Sequence, residues 1–359
     1  MTGLFAKPET IKKIAVLRAN ALGDLIFVLP ALKALKEHFK NAELVYLGNN
    51  WHKDFLHGRH SPVDRVLIVP KCNGIPHESD RIVDEEVVSQ FFKGMEDENF
   101  DIAFQMHGGG GNSNPFVKRL KARLSVGFQA PGAPPLDINI PYHLYQPEIL
   151  RYLELTEAVG AKTQNIIPEI STTDNDFIEL NDAFPDFPGK YMVMHAGASD
   201  IRRRWPVEKF ALVAKEIINR GYTVILSGTG NEQEMNDRLS EMTGPGVINL
   251  TNKISLNTLT AMLSKASLLI SNDTGPLHLA RALKTPTVGL YWSGNMITAG
   301  PATMKTNRYC ISWTNLCPLC GLDCNKPGFR EAACKHDVSF IADIEVEEVL
   351  ERVGELICD

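Results

Sequence analysis

In the segment Leu268-Leu269-Ile270-Ser271-Asn272-Asp273-Thr274-Gly275-Pro276-Leu277-His278-Leu279-Ala280, a strand passes through a tight polar turn straight into a helix. No other stretch narrows the folds open to the chain as far. The apolar run reads as a buried strand, Asp273 and Thr274 are capping residues, and Pro276 has the fixed φ suited to a first helical turn. The N–H groups of Thr274, Gly275 and Leu277 would then point outward from a helix N-terminus. There they serve either an ordinary cap or an anion such as phosphate. A helix that leaves a strand end so abruptly belongs to an α/β architecture.

The same alternation runs twice along the chain. Ile14–Leu17 reads as a buried strand, and the turn Arg18–Asp24 leads into a helix over Leu25–Phe39. Strands at Glu43–Leu47, Val66–Val69, Asp101–Met106 and Ser125–Phe128, with a helix at Asp84–Glu98, complete a first parallel sheet. Prolines, glycine and short polar residues around Asp174–Gly189 break both periodicities and read as a linker. A second round follows, with strands at Tyr191–His195, Thr223–Leu226, Val247–Leu250, Leu268–Ser271 and Thr287–Tyr291. Helices at Val207–Arg220, Asn231–Met242, Leu256–Ser264 and Leu277–Leu283 separate them. Two Rossmann-like domains are expected, 1–172 and 191–340, joined by a linker at 173–190. Open parallel sheets bind ligands beyond the carboxyl ends of their strands, so two of them facing across a cleft would hold a ligand between them.

A chain of 359 residues with 44% hydrophobic content can bury two cores. Its formal net charge of −6 lacks the basic footprint of a nucleic-acid binder, so an anionic ligand has to be met locally. Residues 1–13 carry no signal-peptide core, and no window approaches the ~18 apolar residues of a membrane span. A cytoplasmic protein is expected, and no nucleic-acid partner.

Three further segments fall at strand ends. Leu22-Gly23-Asp24 places Asp24 either as a helix cap or as a carboxylate presented to ligand. His195–Pro206 carries Ser199 and the consecutive Arg202, Arg203 and Arg204, guanidiniums that repel one another unless an anion sits among them or solvent screens them. Ser227-Gly228-Thr229-Gly230-Asn231-Glu232 sets a carboxylate four residues past a glycine, within reach of a ribose hydroxyl pair.

Together Arg18–Pro30 (RANALGDLIFVLP), His195–Pro206, Gly228–Glu232 and Ser271–Ala280 (SNDTGPLHLA) resemble glycosyltransferase family 9, the ADP-heptose:lipopolysaccharide heptosyltransferases and their relatives. The resemblance covers most of the chain. It implies the GT-B fold, two Rossmann-like domains with the sugar donor held mainly by the second and a last helix, within 341–359, that crosses back to the first. By the same resemblance Asp24 is the base of an inverting, metal-independent transfer. Such general-base assistance is typically worth about 10²- to 10⁴-fold. Arg203 stands where relatives carry a lysine on the donor phosphate, with Arg202 or Arg204 sharing the task. Asp273 corresponds to the carboxylate on the donor sugar, Glu232 to one on the ribose, and the Thr274, Gly275, Pro276 and Leu277 turn to the diphosphate cradle. His278 either joins the donor site or hydrogen-bonds the turn from within its helix. The favoured donor is ADP-heptose and the acceptor a lipopolysaccharide core, another glycan or a protein, at the cytoplasmic face of the inner membrane. Two other readings stay open: a nucleotide-sugar epimerase or hydrolase of the same fold, and a noncatalytic nucleotide-sugar binding protein.

On the acceptor side, His107, Asn112 and Asn114 flank a run of four glycines. The following helix, expected over Pro115–Leu124, carries Lys118, Arg119, Lys121 and Arg123. That face is either a solvated surface or a contact for an anionic sugar chain or lipid headgroups. Within the loop 310–336, Cys317, Cys320, Cys324 and Cys334 form C-x2-C-x3-C-x9-C, with His336 close behind. Structural zinc or iron, reduced thiols and a disulfide all remain open for them, and four thiolates would leave a metal no catalytic position.

Overall fold

The computed structural model describes residues 8–73, 75, 83–324 and 334–357. The chain divides into two compact units, Met1–Ser171 and Thr172–Asp359. In the first, strands β1 (Lys13–Leu17), β2 (Glu43–Gly48), β3 (Arg65–Ile68), β4 (Ile102–Gln105), β5 (Leu124–Gln129) and β6 (Ile138–Pro141) form one parallel sheet in the order β3-β2-β1-β4-β5-β6. Helices α1 (Leu22–His38), α2 (Asn50–Leu56), α3 (Glu85–Glu98), α4 (Ser113–Arg119) and α5 (Glu148–Glu157) connect or follow the strands. Ile14–Leu17 and Ile102–Gln105 are buried throughout. Such unbroken burial is what a central parallel strand covered on both faces demands.

The second unit opens with α6 (Asp174–Ala183), then β7 (Tyr191–His195), α7 (Val207–Asn219), β8 (Thr223–Leu226), α8 (Gln233–Thr243), β9 (Val247–Asn249) and α9 (Leu256–Lys265). It continues with β10 (Leu269–Asn272), α10 (Gly275–Ala282), β11 (Thr287–Trp292), α11 (Ser293–Ala299), β12 (Asn307–Ser312) and α12 (Val346–Gly354). Its sheet runs β12-β11-β10-β7-β8-β9. Numbered within its own unit, each sheet has the doubly wound order 3-2-1-4-5-6, in which the winding reverses between the first and fourth strands. The reversal leaves a crevice at the carboxyl ends of β1 and β4 in one unit and of β7 and β10 in the other.

The second core shows how sequence spacing sets the layers. Phe210, Val213, Ala214 and Ile217 fall on one stripe of α7 and are fully buried beneath Trp205 and the strands. Burying each large apolar side chain on this stripe contributes about 1.5–3 kcal/mol. In α12, Val349 and Val353 join the same core, and the helix packs on α7, β11 and β12.

The segment expected as a linker differs from its composition. Thr173 accepts the Asp176 N–H and Asp176 returns the bond to the Thr173 N–H, so a reciprocal cap starts α6 where polar residues had suggested a break. α6 then packs on α9, where the Glu179 carboxylate takes Ser255 and Asn257. The helix expected over Pro115–Leu124 ends at Arg119, and Leu124 already belongs to β5.

Candidate functional site

At the crevice of the first unit, β1 delivers Arg18 and β4 delivers Met106 and His107. Arg18 is buried at 3% exposure. It donates to the Met106 carbonyl at 2.8 Å and to Asp24 Oδ1 at 2.5 Å. Asp24 lies in the first turn of α1, where its Oδ2 accepts the Ala21 N–H at 3.0 Å. Its side chain is still 30% exposed. The cap and the presented carboxylate therefore coexist, one oxygen serving each contact and both retaining lone pairs.

Arg18 is held from behind by α5. Glu148 approaches it at 3.7 Å and receives Arg151 and the Tyr152 hydroxyl, while the Arg18 guanidinium lies 4.9 Å from the centre of the Tyr152 ring. Tyr46 donates to the Arg18 carbonyl at 2.5 Å. None of this shell is evident from the motif, although the i, i+3, i+4 spacing of Glu148, Arg151 and Tyr152 places them on one helical face. His107 Nδ1 accepts the Ala19 N–H at 3.3 Å. Burial, assisted by the nearby Arg18, pulls its pKa down to about 4, so at neutral pH the imidazole is uncharged.

The other acceptor-side residues separate. Asn112 is exposed at the start of α4. Asn114 is fully buried and turned inward, donating to the Phe128 and Pro134 carbonyls at 3.0 and 2.8 Å. It fastens the glycine turn instead of presenting an amide to ligand. Gly110, at φ +93°, leaves the space that Asn114 Nδ2 and the Phe128 carbonyl occupy, both 2.5 Å from where a Cβ would stand. The basic residues at the end of α4 and just after it are also largely engaged within the unit: Arg119 stacks on Phe92, Lys121 pairs with Glu96, and Arg123 pairs with Asp101.

At the crevice of the second unit, β10 ends in the turn Asp273-Thr274 and α10 begins at Gly275, with Thr274 as N-cap. Asp273 is 2% exposed and fully engaged. Its Oδ1 meets His278 Nε2 at 3.1 Å, and its Oδ2 accepts from Asn295 at 2.9 Å and Arg203 at 3.3 Å. Burial pushes the Asp273 carboxyl up, but His278, then Arg203 and Arg281, outweigh it and hold the group below its ordinary range. His278 thus supports the turn from within its helix. Asn295, arriving from α11, carries no motif that could have pointed to it. The Leu277 N–H expected to face outward instead closes onto the Thr274 carbonyl at 3.1 Å. Among the described residues, the Thr274 and Gly275 N–H groups have no hydrogen-bond acceptor, which leaves two donors at the positive end of α10.

The three arginines divide their work. Arg202 is bound in two-pronged fashion by Asp200, Nε to Oδ1 at 2.8 Å and Nη2 to Oδ2 at 2.5 Å. Arg203 donates to the Asp273 carbonyl and carboxylate and to Ser199 Oγ. Arg204 uses Nε on the Ala198 carbonyl at 2.8 Å, and its terminal nitrogens make no hydrogen bond to any described residue. Internal carboxylates therefore relieve much of the repulsion that the run implied. Asn272 binds the loop to the turn, donating to the Ala196 carbonyl and accepting the Trp205 N–H. Glu232 caps its own 3-10 turn by accepting the Thr229 N–H at 2.8 Å, with its other oxygen against Gly197. A Cβ at Gly197 would sit 1.6 Å from that oxygen, so any larger residue there would have to push the Glu232 carboxylate aside. His195, beside Ser227, is held below its ordinary pKa by burial against the pull of Glu232.

The cysteines regroup. The metal-ligating atoms of Cys317, Cys320, Cys334 and His336 lie within 4.8 Å of one another. Cys324 stands outside that group, its thiol donating to the Leu322 carbonyl at 3.2 Å. The backbone explains the exchange: the Gly321 N–H returns to the Cys317 carbonyl and the Cys317 N–H to Leu322, folding the C-x2-C segment into a knuckle that excludes the third cysteine. Sγ to Sγ from Cys320 to Cys334 is 3.8 Å, and His336 Nδ1 lies 3.5 Å from Cys317 Sγ and 3.6 Å from Cys334 Sγ. A tetrahedron with arms of about 2.3 Å to sulfur and about 2.0 Å to nitrogen has edges of about 3.8 and 3.5 Å, so the spacing fits an ion of zinc size. Burial pushes the Cys317 thiol up, but the Cys320 and Leu319 backbone N–H groups, with Cys334 and His336, bring it down to about 6.

The model of glycosyltransferase family 9 (heptosyltransferase) matches residues 88–318. The lipopolysaccharide core heptosyltransferase OpsX of Haemophilus influenzae is 23% identical over 300 residues, 82% of each chain. The solved ADP-heptose lps heptosyltransferase II of E. coli aligns over 96% of this chain and 98% of its own at 17% identity, with a TM-score of 0.73. The iron-containing dodecameric glycosyltransferase TibC of enterotoxigenic E. coli aligns over 96% of this chain and 76% of its own at 13% identity, with a TM-score of 0.56.

Proposed function

The chain belongs to glycosyltransferase family 9, the heptosyltransferase family, and from that premise we propose that it moves a heptosyl group from ADP-heptose to a lipopolysaccharide-core acceptor, with inversion and without a catalytic metal. The observation that carries this reading is the pairing of chemistries at equivalent positions of two like sheets. One crevice presents a partly exposed carboxylate, and the other presents unpartnered N–H groups beside arginines.

Asp24 takes the proton of the acceptor hydroxyl while the hydroxyl oxygen forms its bond to the anomeric carbon and the bond to the diphosphate oxygen breaks. Arg18 and the Ala21 N–H fix the carboxylate in one orientation, so little reorganisation is needed as the proton moves. Neutral His107 accepts on Nδ1, which leaves Nε2–H to donate to the acceptor sugar. The negative charge that develops on departing ADP falls to the Thr274 and Gly275 N–H groups, Arg203 and Arg204, with Ser199 at the edge of the loop. Preorganised donors of this kind commonly supply about 3–4 kcal/mol each toward a developing oxyanion. Asp273, sealed under Arg203, Asn295 and His278, fixes the turn and the arginine that meet the donor, and Glu232 receives the ribose.

The group Cys317, Cys320, Cys334 and His336 holds a zinc or iron ion in a structural role, because four protein ligands leave it no open position. No helix among the described residues is long and apolar enough to cross a membrane, and we place the reaction in the cytoplasm, at the inner membrane where such acceptors are anchored.

The test is turnover on a panel of nucleotide sugars with and without deacylated lipopolysaccharide core. ADP release coupled one-to-one to acceptor heptosylation is expected. Sugar release that ignores the acceptor, or preference for UDP- or GDP-linked donors, overturns the assignment.

A further inference from the structure

The cysteine-histidine group and the donor crevice belong to the same unit, and two short paths join them. The first leads from the residues before Cys317. The Thr314 carbonyl accepts Trp292 Nε1–H at 2.7 Å, and Asn315 Oδ1 accepts the Ser293 hydroxyl at 3.2 Å. Ser293 starts α11, and one half-turn on, Asn295 donates to Asp273. The second path leads from the residues after His336. The Phe340 N–H donates to the Arg202 carbonyl at 2.8 Å, inside the arginine loop. The Phe340 ring stands edge-on to Trp292 at 5.3 Å, and the Arg202 guanidinium lies 6.0 Å from the same indole. Trp292 therefore touches both arms of the cysteine segment and the arginine loop at once.

Cys317 and Cys320 lie on the first arm, Cys334 and His336 on the second, so an ion held by all four would close a ring through Ser312, whose hydroxyl donates to the Phe340 carbonyl at 2.6 Å. Among the described residues, and without the ion, the two arms are tied through that bond, the Thr314 hydroxyl on Asp343 and the Trp292 contacts. We propose that occupancy of the Cys317–Cys320–Cys334–His336 site by a tetrahedrally coordinated zinc or ferrous ion sets the affinity of the donor crevice for a nucleoside diphosphate, by holding the arginine loop and Asn295 in their binding positions. The inference rests on the donor reading of that crevice given above. The ion acts as a clamp on binding groups and takes no part in transfer.

The experiment uses the full chain. Metal content is measured on the purified protein, the ion is stripped with a chelator and restored with Zn²⁺ alone or Fe²⁺ alone, and ADP binding is followed by calorimetry in each state with far-UV circular dichroism as the check on folding. One equivalent of metal and a Kd for ADP that rises about tenfold on stripping and recovers on reloading are expected. A coupling of about 1.4 kcal/mol corresponds to that tenfold change. Cys320→Ser should lower metal content and ADP affinity together. Asn315→Ala leaves every ligand in place, so it should keep one equivalent of metal yet weaken ADP binding. Cys72→Ser, in the other unit, should change neither. Tight ADP binding that is indifferent to the ion, or a protein that takes up no metal, overturns the coupling alone. A loaded protein that does not bind ADP at all overturns the donor reading as well.

Discussion

The two crevices occupy the same place in sheets of the same order, yet each treats its aspartate differently. Asp24 has two protein contacts and keeps 30% of its side chain exposed. Asp273 has three side-chain partners and is all but sealed. A carboxylate that is to accept a proton needs unoccupied lone pairs and access, whereas one that shapes a binding turn is better fully bonded and fixed. The difference also shows in what surrounds them. The first crevice is braced by a buried Arg18–Glu148–Tyr152 shell behind the acid, and the second by a helix N-terminus with two unpartnered N–H groups in front of it.

Exchanging the two aspartates for alanine is the sharpest way to break this contrast. Asp24→Ala should reduce kcat by about 10³-fold, within the range typical of general-base removal, while ADP affinity by calorimetry stays within about twofold. Asp273→Ala should do the reverse in binding. Donor KM rises steeply, and because Arg203, Asn295 and His278 lose their acceptor, the melting curve should record a loss of about 1–3 kcal/mol. If Asp24→Ala turns over normally, or if Asp273→Ala binds donor and melts like the parent, the roles have been assigned to the wrong crevices.

A smaller effect tests the brace. Arg18 serves the Met106 carbonyl and Asp24 with separate guanidinium nitrogens. A lysine has one ammonium and cannot reproduce that fork. Arg18→Lys should lower kcat about tenfold with donor KM unchanged, a split that distinguishes loss of orientation from loss of donor binding. A change confined to KM would move Arg18 out of the positioning role.

The motifs carried more of the second crevice than of the first. The apolar run before Asp273, its cap and Pro276 all act within a few residues, so the strand, the turn and the start of α10 could be read locally. Asp24 was legible for the same reason, and even its two readings came from one geometric fact, its place in the first turn of a helix. Asn295 and Glu148 were not legible. Each reaches its aspartate or arginine from an element whose position is decided by sheet order, and no local spacing encodes that order. The strands β6 and β12 were missed because edge strands such as Ile138–Pro141 are only half covered and lack an unbroken apolar run. His336 replaces Cys324 for a related reason. The backbone bonds around Gly321 decide which side chains converge, and a count of intervals between cysteines does not contain them.

The arginine loop offers a test inside one crevice. Arg202 is neutralised by Asp200, whereas Arg204 keeps its terminal nitrogens. Arg204→Ala should therefore raise donor KM severalfold, and Arg202→Ala should raise it less and act mainly through the loop's order. Equal effects on KM from the two variants would mean that Asp200 gives up its partner when donor binds, which a third variant, Asp200→Asn, would reveal by tightening donor binding.

The smallest expected effect concerns pH in the first crevice. His107 is held at about 4 in the fold against an ordinary 6.5 when unfolded, so between those values the unfolded chain binds the extra proton. Its contribution to stability is then fully present above pH 6.5 and is lost as the pH falls toward 4. Asp273 is shifted in the same direction but in a lower window. Its carboxyl is held below the ordinary 3.8, and its contribution persists through that window and fades only as the pH drops further. Denaturant unfolding at pH 7 and pH 4.5 should show that His107→Gln retains on the order of 2 kcal/mol that the parent loses over that interval. The Asp273→Ala deficit should be nearly the same at both values. A parent and His107→Gln that lose stability in parallel would show that His107 takes up its proton in the fold as readily as in the unfolded chain, and with it that burial beside Arg18 does not hold the imidazole neutral.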